Sequence, residues 1–203
     1  MGLYYESLEN DRAYALRYNC NHQYIDKYNK IMDSNLSILK LWISIAGENI
    51  TIKPRANNIF YSDCIFHRAT DLPVCINENK KAFFCYGCKE CGSLVLLVSK
   101  CFHILSYSTI DILFSIVNND LGDLSKRQLK IAKRLLKKYN SPVAEHYFKI
   151  SNEKTNYINK RIESYIQKNG DSQETIKKMC KRLCTKYKVS KSNIDNIDND
   201  LPF

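Results

Sequence analysis

The sequence predicts an α+β protein, in which a small antiparallel sheet is flanked by helices and followed by an α-helical C-terminal extension. Two patterns in the 203 residues predict this fold class. Short alternating or β-rich segments are confined to residues 46–100 and are separated by turn residues. Before and after this stretch, apolar residues recur at the three- and four-residue spacing of amphipathic helices.

Four short strands are predicted in the central stretch. Asn57-Asn58 marks a turn between the first two strands, and the polar run Asn77-Glu78-Asn79-Lys80 is typical of a hairpin turn between the last two. Such short connections join antiparallel neighbours. The predicted strands are Ile50–Lys53, Ile59–Tyr61, Pro73–Ile76 and Ala82–Cys85.

Capping residues delimit the helices that follow the sheet. Ser125 is a suitable N-cap, and Ser141-Pro142 is a typical helix start that Gly170 would end. Asp171 with Glu174 resembles a capping box. The predicted helical segments are an N-terminal one with the apolar stripe Ile31, Met32, Leu36, Leu39 and Ile43, one opening at Leu94, then Thr109–Val117, Lys126–Tyr139, Pro142 to Gly170, and Asp171 through Lys186.

The net charge of +10 is concentrated in the C-terminal third of the chain. Between Leu121 and Lys188 there are 18 Lys and Arg residues against 6 Asp and Glu. This asymmetry favours a polyanionic partner, of which nucleic acid is the commonest. The alternative is a set of solvated Lys-rich helix faces without a partner.

Neither a membrane span nor a secretory signal is expected. No run of 18 apolar residues occurs, and the N-terminus lacks a basic start with an apolar core. We therefore expect a cytoplasmic protein that does not bind membranes. In that reducing compartment, nine cysteines indicate metal binding rather than a disulfide framework.

Two ligand pairs predict one zinc site. Cys64 and His67 form the first pair and Cys85 and Cys88 the second, each with two residues between the ligands. That spacing lets one tight turn aim both side chains at a single ion, and thiolates with a neutral imidazole suit tetrahedral zinc. Gly87 would allow the second turn a positive backbone angle. Four protein ligands make a closed, structural site, and we expect the ion to supply much of the stability of a sheet with little core of its own.

Two alternatives to this ligand set stay open. The four residues could be buried cysteines and a core histidine, although two such pairs together argue against that. Cys91, three residues after Cys88, could replace His67 as the fourth ligand.

The same stretch resembles the CHC2 zinc-binding domain of bacterial and phage primases. The matching residues are Asp63-Cys64-Ile65-Phe66-His67, Pro73-Val74-Cys75-Ile76-Asn77, Phe83-Phe84-Cys85-Tyr86-Gly87-Cys88, Gly92 before an apolar helix, and Leu105-Ser106-Tyr107 at the next helix start. The 17 residues between the ligand pairs equal the family spacing. The chain departs from the family at Ile65, at Arg68-Ala69-Thr70-Asp71 and at Lys89, so the fold carries over better than the template contacts.

The resemblance implies a zinc-ribbon sheet that reads single-stranded template and assists a polymerase core. The resemblance covers a primase-like zinc-binding domain (36–118), and the residue patterns predict an N-terminal helical region (1–35), a basic helical region (119–190) and a disordered tail (191–203) around it. Aromatic residues offer stacking surfaces and cations offer phosphate contacts, although alternation along the strands buries part of the aromatic set. The candidate nucleic-acid contacts are Lys53, Arg55, Tyr61, Arg68, Lys81, Phe84, Tyr86, Lys89, Arg127, Lys130 and Arg134.

No catalytic residue is assigned. A primase core presents a Glu and an Asp-x-Asp pair to magnesium, but Asp198-Asn199-Asp200 lies in the tail without a strand to hold it. Residues Ile176–Ile197 resemble a helix-turn-helix only loosely, because the second helix would be short and acidic.

Three functions fit the sequence. The first is a primase-like accessory protein in DNA replication, of the kind that a mobile element carries, which binds single-stranded DNA with one structural Zn²⁺ and works with a separate primase catalytic subunit or helicase. The second is a zinc-containing DNA-binding regulator. The third is a protein-interaction module whose zinc is purely structural.

Overall fold

The computed structural model of the protein describes residues 22–47, 50–67 and 73–169. These residues form six helices and one five-stranded antiparallel sheet, which confirms the predicted α+β class. In chain order the elements are α1 (His22–Asp33), α2 (Ile38–Ala46), β1 (Ile52–Pro54), β2 (Ile59–Ser62), β3 (Val74–Asn77), β4 (Ala82–Cys85), β5 (Cys91–Ser93), α3 (Leu94–Phe102), α4 (Ser106–Val117), α5 (Lys126–Tyr139) and α6 (Pro142–Asn169).

The sheet is a meander in which each strand pairs with the next along the chain. Asn57 and Asn58 close the β1–β2 hairpin with φ angles of 58° and 56°. Asparagine tolerates this left-handed conformation better than most residues, so the two asparagines allow the chain to reverse within the four residues that connect the strands. The fifth strand, β5, is absent from the sequence prediction, since three residues that include Gly92 are too short to show alternation.

One face of the sheet is completely buried against α2. Phe60, Ile76 and Phe83 lie side by side on neighbouring strands, and none of them is exposed to solvent. The indole of Trp42 packs 5.5 Å from the Phe83 ring and 5.9 Å from the ring of Phe66, and its Nε1 donates to Ser62 Oγ at 3.2 Å. The expectation that the sheet has little core of its own is therefore wrong.

A buried polar contact fixes the β3–β4 turn to the start of α2. Glu78 Oε2 accepts a hydrogen bond from the backbone N–H of Leu39 at 2.9 Å. Burial raises the pKa of this carboxyl, while hydrogen bonds from Leu39 and Ser37 oppose the shift. From the same turn, the ammonium of Lys81 donates to the backbone carbonyls of Ile31 and Ser34, which satisfies oxygens at the end of α1.

Helices α5 and α6 begin where the capping residues predicted, whereas α4 begins at Ser106, three residues before the predicted Thr109. Ser125 and Gln128 form a complete capping box on α5, and Ser141 Oγ accepts from the backbone N–H of Ala144 at the start of α6. One hydrophobic core runs from Ile31 to Ile150, so it is continuous across the boundaries predicted near residues 35 and 118. The predicted helix end at Gly170, the helix through Lys186, the helix-turn-helix and the tail 191–203 lie outside the described residues.

Within the described ranges, no single helix combines the length and apolar character needed to cross a membrane. Only α3 and α4 taken together reach that length and hydropathy, and they are bent by 113° relative to each other.

Candidate metal centre and nucleic-acid surface

The strand register brings the two ligand pairs to the same end of the sheet. Ser62 at the end of β2 is opposite Val74, and Val74 is opposite Cys85 at the end of β4. The chain leaves β2 into the loop of Cys64 and His67, and it leaves β4 into the turn that carries Cys88. The two loops therefore meet, although the ligand pairs are separated along the sequence.

The four predicted ligands form a compact cluster. Their ligand atoms all lie within 4.8 Å of one another. Cys64 Sγ is 3.9 Å from Cys88 Sγ, and Cys85 Sγ is 3.7 Å from His67 Nδ1. Sulfur atoms bound to tetrahedral zinc at ~2.3 Å are roughly 3.8 Å apart, so the cluster fits one structural zinc ion.

The thiols of Cys64 and Cys85 differ in acidity. Burial raises the pKa of Cys64 to about 12. Burial also acts to raise the pKa of Cys85, but hydrogen bonds from the backbone of Cys88 and Gly87 and from the Cys88 thiol outweigh it, so the pKa is lowered. Zinc binds the thiolate form, and its binding would displace the proton from Cys64.

Gly87 matters for a different reason from the one predicted. Of the glycines that the structure describes, Gly47 and Gly92 have positive φ and Gly87 does not. The left-handed residue of this turn is Lys89, with φ of 62°, and its N–H donates to Cys85 O at 3.1 Å. A Cβ on Gly87 would lie 2.4 Å from His67 Nε2, so glycine allows the imidazole to approach the turn.

Cys91 lies outside the ligand cluster. It is the first residue of β5 and pairs with Phe84 of β4. Successive residues of a strand lie on opposite faces, so the ligand Cys85, which follows Phe84, lies on the other face of the sheet and is buried. Among the described residues, the cluster contains His67 and not Cys91, which favours the first of the two ligand sets.

The second face of the sheet carries aromatic and cationic residues that are at least partly exposed; we call it the open face. Register aligns Lys53, Tyr61, Cys75, Phe84 and Cys91 in one row across all five strands. The alternation that places these residues on the open face sends Phe60 and Phe83 into the core.

The aromatic residues of the open face are in mutual contact. The Tyr86 ring lies 5.1 Å from Phe84 in an edge-to-face arrangement and 6.4 Å from Tyr61. The guanidinium of Arg55 lies over the Tyr61 ring, 5.1 Å from the centre of that ring. Burial raises the pKa of Tyr61 to about 12, so its hydroxyl is uncharged at neutral pH. Arg55, Tyr61, Phe84 and Tyr86 thus form one continuous surface.

The other predicted contact residues have different positions. Lys53 and Lys89 are exposed near this surface, and Arg127, Lys130 and Arg134 are exposed on α5. Lys81 is a correction: its side chain is buried and its ammonium is bonded to backbone carbonyls, so it does not face a phosphate. Arg68 lies outside the described residues.

Comparison with known proteins yields a match to a protein family. Residues 28–129 match a family model described as a CHC2 zinc finger. A search of curated proteins finds no match, and a search of solved structures finds none. The matched region begins within α1 and ends within α5, so it contains all four ligands and the open face and excludes α6.

Proposed function

The chain belongs to the CHC2 zinc finger family, and we propose that it is a replication accessory protein that binds single-stranded DNA on the open face of its sheet. A separate subunit would catalyse primer synthesis. The protein would work with that primase catalytic subunit or with a helicase. The protein would work in the cytoplasm. The observation that carries the proposal is the continuous surface of Arg55, Tyr61, Phe84 and Tyr86 beside the metal centre.

Ring faces suit single strands better than duplexes. In a duplex the bases are stacked on one another, whereas an unpaired base can stack on an aromatic side chain or an arginine plane. Each such contact is worth about 1–3 kcal/mol and is tolerant of sequence. Tyr86 is the most accessible ring of the group, with 40% of its surface exposed, so it is the best placed to receive a base.

Cations supply the complementary phosphate contacts. Lys53 lies in the same row as Tyr61 and Phe84, and Lys89 follows the last ligand on the turn that carries Tyr86. Helix α5 adds seven Lys and Arg residues and no acidic residue. Contacts of this kind give affinity and salt dependence without selecting a sequence.

The metal centre would hold this surface in place. Cys85 and Cys88 flank Tyr86 in the chain, and Phe84 precedes Cys85 directly. A zinc ion that fixes the Cys85–Cys88 turn therefore also fixes the orientation of both rings. Its role in the proposal is structural, with all four positions taken by protein ligands.

The test compares zinc-quantified wild type with Tyr86→Ala on labelled single- and double-stranded DNA across a salt series. We expect single strands to bind more tightly, with a steep salt slope, and Tyr86→Ala to weaken binding by about 5- to 100-fold. Tyr86→Phe is the matched control, because it retains the ring and should bind almost as the wild type does.

The outcomes separate the three functions that fit the sequence. If the protein prefers one duplex sequence, the proposal is wrong and the protein is a zinc-containing DNA-binding regulator. Full zinc occupancy without DNA affinity at moderate salt would replace it with the protein-interaction module. Equal binding by Tyr86→Ala and wild type would remove the open face as the binding surface.

A further inference from the structure

A groove of mixed polar and apolar lining lies on the helical side of the molecule, between the α3–α4 turn and the first turns of α4 and α5. It encloses about 320 Å³. Polar residues, including Arg127 and the Ser125–Gln128 cap of α5, line one part of it, and the apolar residues Ile104, Leu105, Tyr107, Ile112 and Ile131 line the other. Since Ile112 is completely buried, it forms the floor, while Arg127 is exposed at the rim.

Two of the largest exposed apolar side chains in the described part of the protein border this groove. Leu105 is 62% exposed and Tyr107 is 51% exposed. The third, Tyr86, belongs to the open face. Leu105 occupies the N-cap position of α4 and makes no side-chain capping hydrogen bond there. Leucine is a poor N-cap, so helix formation does not explain its position there, and together with Tyr107 it gives the groove an exposed apolar border.

We propose that residues Ile194–Phe203 of the same chain, here called the acidic tail, occupy this groove. The acidic tail contains four large apolar residues spaced among acidic ones, and it has no Lys or Arg. Its apolar residues are Ile194, Ile197, Leu201 and Phe203, and its acidic residues are Asp195, Asp198 and Asp200.

Charge complementarity selects this occupant. Arg127 at the groove rim belongs to α5, whose seven cations face no acidic residue of their own helix. The only charged side chains of the acidic tail are its three aspartates. These can lie along α5 while an apolar side chain of the tail enters the groove. Leu201 or Phe203 would fill the space between Leu105 and Ile131.

The connecting chain is long enough for docking within one molecule. Twenty-four residues lie between Asn169 at the end of α6 and Ile194. Extended, they span up to ~80 Å, and with residues 171–186 helical they still span roughly 50 Å. Both lengths exceed the ~40 Å expected for the width of a domain of this size.

Docking of the acidic tail would place its aspartates on the same cations that we assign to phosphate contact. The tail would then compete with nucleic acid for α5, and release of the tail would raise the affinity for DNA. This consequence rests on the proposed function, whereas the docking itself does not.

Photo-crosslinking in the full-length, zinc-loaded protein tests the docking. With p-benzoylphenylalanine at position 203, we expect intrachain cross-links to the segment 104–108 and to Ile131, mapped by mass spectrometry. Leu105→Ser should lower their yield at least about fivefold, and Leu105→Met, which keeps the apolar bulk, should not. Asp195→Asn with Asp198→Asn and Asp200→Asn should lower it as well, as should high salt. Cross-links elsewhere, cross-linked dimers, or a yield that none of these changes alters would each overturn the proposal.

DNA binding provides a second measurement on the same variants. Leu105→Ser adds no charge and no stacking group, so a several-fold gain in DNA affinity would identify release of the acidic tail. A protein that binds no DNA but gives the groove cross-links would refute the proposed function and leave the docking intact. Cross-links outside the groove together with normal DNA binding would refute the docking and leave the proposed function intact.

Discussion

The two faces of the sheet are built from the same short strands but differ in what determines their residues. On the buried face, Phe60 and Phe83 fill space against Trp42 and are completely enclosed. On the open face, their sequence neighbours Tyr61 and Phe84 contact each other through Tyr86 and remain partly accessible. A difference of one position along a strand therefore separates a residue needed for stability from one available for binding.

The strongest test of this difference removes the metal. Cys85→Ser should abolish stoichiometric zinc binding, because one of four ligands is lost and the thiolate has no substitute. Hydrogen exchange should then accelerate in the loops of residues 63–67 and 85–90, while the buried face against α2 keeps its protection, since it has its own core. Cys91→Ser is the control, and it should retain zinc. Loss of protection throughout the sheet would show that the buried face depends on the metal too.

The next test compares two neighbouring phenylalanines. Phe83→Ala should lower the free energy of unfolding by about 3–5 kcal/mol, because it leaves a cavity beside Trp42. Phe84→Ala should cost less than half of that, because this ring is partly exposed, and should instead weaken binding of single-stranded DNA. Denaturant unfolding of the zinc-loaded proteins measures both. Equal losses of stability would remove the distinction between the faces.

A smaller effect is expected from Gly87→Ala. The added methyl would meet the His67 imidazole at 2.4 Å, so the ring or the turn has to shift. Displacement of one ligand by a neighbouring group should weaken zinc binding by roughly 10- to 100-fold. Competition with a chromophoric chelator measures this, with Lys89→Ala as the control at the next surface position of the turn. Unchanged affinity in Gly87→Ala would show that the imidazole does not need this approach.

The fourth test varies the pH rather than the sequence. Because burial raises the pKa of Cys64 to about 12, this thiol is protonated at neutral pH before zinc binds. The zinc-bound state carries fewer protons than the free state, so affinity should rise with pH and fall on acidification. Each displaced proton contributes about a tenfold change in affinity per pH unit. Chelator competition over about pH 6 to 8, with proton release followed in two buffers of different ionisation enthalpy, checks the sign. A flat profile would mean that the thiols are already ionised.

Much of the fold and of the site could be predicted because the relevant signals are local. The spacing within each ligand pair, the Asn57-Asn58 turn and the cap at Ser125 each depend on only a few consecutive residues. Period-two alternation also anticipated that part of the aromatic set would be buried, as Phe60 and Phe83 are.

The features that could not be predicted depend on distant residues. Lys81 reads as a surface cation, but the carbonyls of Ile31 and Ser34, about 50 positions earlier, bind its ammonium. The need for glycine at position 87 comes from His67 across the sheet end, and the three residues of β5 are a strand only because β4 pairs with them. No local pattern carries this information.

The position of Trp42 gives the protein an intrinsic optical reporter. It is the single tryptophan of the chain, so its emission is not mixed with that of another indole. The ring touches Phe83 of the core and Phe66, which immediately precedes the ligand His67. Loosening of the ligand loop would alter the polarity around this indole before global unfolding does, so fluorescence can distinguish the two events without a label.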